Sequence, residues 1–94
     1  MKFRVHWRDH LIPLIEQFAF MELELRGNTG RIEYALSEIG LRLSSEPNDV
    51  GESRDANERV LISNPITVLY EVFADSGIVV IYTMKHHEYG SRPY

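Results

Sequence analysis

The sequence predicts an α+β domain of order β-α-α-β-β-β, a two-helix hairpin on a mainly antiparallel four-stranded sheet, with residues 1–94 forming one domain. Three observations carry this. Apolar residues alternate at the N-terminus, two segments of helical period follow with a helix-breaking tetrapeptide between them, and three β-rich runs are joined by short turns.

In Lys2-Phe3-Arg4-Val5-His6-Trp7-Arg8 every second residue is apolar, the period of a half-buried strand, with Trp7 expected to pack under the helices. From His10 to Arg26, Leu11, Leu14, Ile15, Phe18, Met21 and Leu25 recur at helical spacing, and Pro13 is confined to the first turn, where it is tolerated. Ile12, Ala19, Phe20 and Leu23 widen the apolar arc beyond one stripe, so part of this helix is expected to meet a surface outside its own domain. Phe20 and Leu23 are the candidates for partner binding.

Gly27-Asn28-Thr29-Gly30 ends one helix and starts the next. The second helix carries Ile32, Ala35, Leu36, Ile39 and Leu43 on one face and stops at Ser44-Ser45-Glu46-Pro47. Residues 47–57 are rich in Pro, Gly, Ser, Asn and acids, and are expected to form a solvated loop. Glu58 to Ser63, Ile66 to Ala74 and Ile78 to Met84 then read as a meander, turned at Asn64-Pro65 and Asp75-Ser76-Gly77. The segment from Gly90 to Tyr94 is expected to fray.

A chain that is 44% apolar and 26% charged suits a globular domain of modest stability. The absence of cysteine excludes disulfides and thiolate metal sites and fits a reducing cytoplasm. No stretch has the unbroken apolar length of a signal peptide or spanning helix, so no membrane association is expected. The net charge of −4 argues against nucleic-acid binding by bulk electrostatics and leaves room for a local basic site.

The order of elements, together with Pro47-x-x-x-Gly51-Glu52-Ser53-Arg54, Arg59-Val60-Leu61, Pro65-Ile66-Thr67-Val68-Leu69-Tyr70-Glu71-Val72 and Ile78-Val79-Val80-Ile81, resembles the RelE/ParE superfamily of type II toxins. It is similar to a sub-branch with a Gly-Glu-Ser-Arg loop after the second helix. The resemblance implies a toxin neutralised by a small antitoxin, acting either as a ribosome-dependent mRNA endonuclease or as an inhibitor of DNA gyrase. A third reading is a relative that keeps the fold as a protein-binding module without toxicity.

Metal-independent RNA cleavage needs a base, cations to hold the phosphate and an acid. Arg54, Arg59, Lys85, His86 and His87 are the candidate catalytic set, with Glu58 as an alternative base and Tyr70 and Tyr89 as stacking or hydrogen-bonding groups. Each has a structural reading beside the catalytic one: an ion pair or loop brace for Arg54, a solvated face for Arg59, a polar strand end for His86-His87 and a core position for Tyr70. No carboxylate or His spacing completes a metal site, and no cofactor is implied. His6 and His10 show no partner pattern. The chain departs from the RNA-cleaving pattern at Ile66-Thr67, where a Tyr-Arg pair is common, and in the acidic loop Asn48 to Ser53.

Overall fold

Strand β1 (Arg4–Trp7) leads into helices α1 (Leu11–Arg26) and α2 (Gly30–Ser45), followed by strands β2 (Glu52–Asp55), β3 (Glu58–Ser63), β4 (Ile66–Phe73) and β5 (Ile78–His86). The computed structural model describes residues 2–55 and 58–89, and for residues 54 and 55 the backbone alone. The expected fraying of Gly90 to Tyr94 falls outside the described residues.

The helix hairpin forms where the sequence places it. Gly27 takes the left-handed conformation, φ 79°, and its N–H closes on the Leu23 carbonyl at 2.9 Å. Such a geometry suits a residue without Cβ. Asn28 Oδ1 then accepts the Gly30 N–H at 2.9 Å, and Glu33 lies in the first turn of α2, where the helix dipole favours an acid. No helix among the described residues is long and apolar enough to cross a membrane.

The sheet has five strands in the order β1-β5-β4-β3-β2, one more than the sequence predicts. The added strand is β2, which pairs antiparallel with β3 through Glu52↔Val60 and Ser53↔Arg59 inside the expected loop. Its residues are polar because it is an edge strand with little to bury, so composition marks it as loop. β1 runs parallel to β5, while β3, β4 and β5 form the predicted antiparallel meander.

One sheet face packs on the helices. Leu61 from β3, Ile66, Val68 and Tyr70 from β4, and Val79, Ile81 and Met84 from β5 meet Leu11, Leu14, Phe18, Ile32, Ala35, Ile39 and Leu43. Tyr70 is fully buried, as its alternation with Val68 predicts, and Trp7 packs at the margin of this core. The opposite face is open. It carries Arg4 and His6 of β1, Glu58, Val60 and Ile62 of β3, Thr67, Leu69 and Glu71 of β4, and Val80, Thr83 and Lys85 of β5. A register shift between Leu69 and Tyr70 leaves Tyr82 as an extra residue in β5.

Candidate functional site

The pleat divides the candidate residues between the two faces. Arg59 pairs with Tyr70 and His86 with Ile66, so both lie on the helix side. They are four residues apart along the strands, about 13 Å. Lys85 and Glu58 lie on the open face, and His87 follows just beyond the end of β5. The side chain of Arg54 lies outside the described residues. The set is therefore spread over three places.

Arg59 fastens the segment before β2. Its Nη2 donates to the Gly51 carbonyl, and beside it the Tyr70 hydroxyl donates to the Pro47 carbonyl at 2.7 Å. Burial pushes the Tyr70 phenol up, with the neighbouring Arg59 charge opposing. Glu58, the alternative base, stands near Tyr82, whose phenol is raised by burial and then by that carboxylate. The Tyr82 hydroxyl has no hydrogen-bond partner among the described residues.

His86 belongs to a buried ionic cluster that ties α1, α2 and the end of β5 together. At its centre Glu22, fully buried, accepts from Arg31 Nε at 2.7 Å, Arg31 Nη2 at 2.9 Å and the Tyr89 hydroxyl at 3.0 Å. Arg26 and Arg31 also bond Glu88. The bidentate hydrogen bonds from Arg31 hold the Glu22 carboxyl at about 2 against an ordinary 4.5, overcoming the upward push of burial. The Glu88 carboxyl is lowered by Arg31 and then Arg26.

His86 Nδ1 accepts the Glu88 N–H at 3.0 Å, which assigns the ring proton to Nε2, 3.4 Å from Glu22 Oε2 and out of hydrogen-bonding alignment. The ring stacks on Tyr89 at 4.0 Å and meets Phe18 at 5.3 Å. Burial lowers the His86 pKa, and the Glu22 charge only partly restores it. A neutral, enclosed imidazole of this kind holds the fold together and has no open approach for a substrate.

Glu22, His86 and Glu88 bring ligand atoms within 4.8 Å of one another. Both carboxylates are already compensated by Arg31 and Arg26, which place positive charge where an ion would sit. The donor set does not suit a metal. Glu22 is the residue that sequence reasoning missed. Its signal was its position four residues after Phe18, an acid on the core stripe of α1.

The residues with open chemistry meet at one corner of the open face. His87 Nδ1 lies 3.0 Å from Asn64 Oδ1, and Nε2 lies 2.9 Å from Thr67 Oγ1. The Asn64 oxygen can only accept, so Nδ1 carries a proton, and in the neutral ring Nε2 accepts from the Thr67 hydroxyl. Lys85 pairs with Thr67 across β4 and β5. The corner thus combines an exposed cation with an imidazole oriented at both nitrogens, the minimum for moving a proton beside a phosphate. The Asn64–Pro65 peptide in this turn is cis.

No family model matches the sequence, and no curated protein does. Solved structures do match. A chain of the RelBE2 toxin–antitoxin complex from Mycobacterium tuberculosis superposes with a TM-score of 0.64 at 22% identity, covering 92% of this chain and 99% of that one. A chain of the archaeal RelE–RelB complex from Pyrococcus horikoshii superposes at 0.57 and 14% identity, covering 96% and 100%. This is the RelE fold. The architecture that the sequence resemblance implies is therefore present over nearly the whole chain. Within the RelE fold, the open face carries Lys85 and the corner beside His87, while Arg59 and His86 are turned toward the helices.

Proposed function

We propose that this chain is the toxin-like component of a type II toxin–antitoxin pair, held by a small antitoxin that covers the outer side of α1. The observation that carries the reading, beside the RelE fold, is α1 itself. It buries Leu11, Leu14, Phe18 and Glu22 inward, yet Ile12, Phe20 and Leu23 remain more than half exposed on its outer side. An apolar arc wider than the core stripe needs a second surface to cover it, and an amphipathic partner helix provides one.

The test is binding of the purified chain to the product of a small adjoining gene, followed by size-exclusion chromatography and calorimetry. Phe20→Asp with Leu23→Asp is expected to weaken that complex at least 10-fold with the unfolding midpoint unchanged, since apolar anchors at a protein interface contribute about 1 kcal/mol or more each. Full affinity in this variant would place the partner elsewhere. The absence of any binding partner among adjoining products would remove the reading.

A second reading, mRNA cleavage, is supported by the Asn64–His87–Thr67 chain beside Lys85. In it, Lys85 holds the scissile phosphate, and His87, its Nδ1 held by Asn64, takes the 2′-hydroxyl proton on Nε2 in place of the Thr67 hydroxyl; the 2′-oxygen bonds to phosphorus as the bond to the 5′-oxygen breaks, and the leaving 5′-oxygen takes its proton from water. Induction of the wild type and of a Lys85→Gln, His87→Ala variant, with mapping of cleaved transcripts, tests it. Equal growth arrest in both, or transcripts intact in both, would leave the chain a non-nucleolytic binder.

A further inference from the structure

The two edges of the sheet, β1 and β2, carry opposite charge. Residues 2–10 hold Lys2, Arg4 and Arg8 against one acid, Asp9, with His6 and His10 beside them. Residues 49–58 hold Asp49, Glu52, Asp55 and Glu58 against one cation, Arg54. Lys2, Arg4 and Arg8 at the first edge, and Asp49 and Glu52 at the second, are exposed and enter no ion pair among the described residues.

The backbone of the cationic edge is open. The Arg4 N–H donates to the Gly77 carbonyl at 2.9 Å and the Arg8 N–H to the Ile81 carbonyl at 3.1 Å, so the even-numbered residues bond toward β5 and the odd-numbered ones point outward. The outward Phe3 N–H is taken by the Ser44 carbonyl at 2.7 Å, which leaves Val5 and Trp7 as the outward row of β1. Strand polarity completes the match. β1 is parallel to β5, and three antiparallel steps through β4 and β3 reach β2, which therefore runs opposite to β1. A second copy set beside the first in the same orientation brings the two edges together as an antiparallel pair.

We propose that copies of this chain associate head to tail through these edges, β1 of one copy lying along β2 of the next and extending the sheet. Unpaired edge strands are templates for such addition. With the helices of both copies on one side, Arg4 and His6 share a face with Glu52, since Arg4 and His6 lie on the open face and Glu52 pairs with Val60 of the same face. Opposite charges on neighbouring strands favour that pairing. Symmetric contacts do not have this property, because two β1 edges set cations against cations and two β2 edges join the acidic segments. An acidic strand from another protein would occupy the β1 edge alone, whereas a second copy satisfies both edges at once. The contact is heterologous and does not close, so assembly continues past the dimer. Two four-residue strands make a small interface, so association belongs in the range of about 0.1–1 mM. The proposal rests on the sheet edges and is independent of the antitoxin reading, which concerns α1.

The experiment is sedimentation velocity of the full chain from 20 µM to 1 mM at pH 7.5, in 50 and 500 mM KCl. The average mass is expected to rise with concentration at low salt without a plateau at the dimer, and the association to weaken at least fivefold at high salt. Arg4→Glu with Arg8→Glu makes both edges acidic, and Asp49→Lys with Glu52→Lys makes both basic. Each variant alone is expected to associate at least 10-fold more weakly than the wild type, and their equimolar mixture to recover to within about threefold. In parallel, NMR of the wild type reads the amides of Val5, Trp7, Glu52 and Ser53, which are expected to shift with concentration while Phe20 and Leu23 stay fixed. A monomer at 1 mM overturns the proposal, as does a mass that levels at the dimer. So do shifts confined to α1, or two well-folded variants whose mixture associates no better than either alone.

Discussion

Replacing Glu22 by Gln removes one negative charge from the buried cluster and leaves its shape almost unchanged. A folded-state carboxyl at about 2 against 4.5 corresponds, at about 1.36 kcal/mol per unit, to roughly 3 kcal/mol of folding free energy at neutral pH. Gln keeps an acceptor for the Tyr89 hydroxyl, and Arg31 keeps Glu88, so the expected loss is about 2–3 kcal/mol, at or below the range for breaking a buried pair. In a domain of this size that lowers the Tm by about 10–20 °C. Urea unfolding followed by circular dichroism measures it. The sign with pH is fixed. A depressed carboxyl contributes fully above about 4.5 and loses its contribution as pH falls toward 2, so the gap between wild type and Glu22→Gln should close across that window. A difference under about 0.5 kcal/mol at pH 7, or a gap that does not narrow in acid, refutes the assignment of Glu22 as the charged centre of the cluster.

His86 is expected to titrate below the ordinary histidine value in an NMR pH series, because burial disfavours its charged form. Below about 6.5 the unfolded chain then binds a proton that the folded one refuses, so stability should rise with pH between the lowered value and 6.5, and His86→Phe should flatten that limb. Gly51→Ala is expected to destabilise by about 1–3 kcal/mol, since a Cβ there would overlap the Tyr70 hydroxyl and come 2.7 Å from the Val60 carbonyl. Adding Tyr70→Phe should recover part of that loss in a double-mutant cycle, and strict additivity would show that the overlap is relieved elsewhere. Arg59→Met should leave the core intact and raise amide exchange in β2, because Arg59 holds the Gly51 carbonyl just before that strand; unchanged protection there would sink the loop-brace role.

Much of the fold is readable because its elements obey their periods. The α1–α2 hairpin is announced by Gly27 through Gly30, and the meander by alternation that the burial of Ile66, Val68 and Tyr70 reproduces residue for residue. β2 was not readable for a physical reason. An edge strand of sequence Glu-Ser-Arg-Asp buries little, so only its pairing with β3 makes it a strand, and pairing leaves no mark on local composition.

The site was harder to read because function depends on which face a residue occupies, and a one-residue step in a strand changes face. The doublet His86-His87 shows this. The pleat sends His86 into the cluster around Glu22, where it is neutral and enclosed, while His87 emerges beside Thr67 and Asn64 with its ring held in the open. As sequence the two are interchangeable candidates for proton transfer. The same parity operates at the N-terminus: the alternation that identifies β1 through Phe3, Val5 and Trp7 necessarily gathers the intervening Arg4 and His6 on the open face. Apolar periodicity finds the strand, and the chemistry lies in the positions it skips.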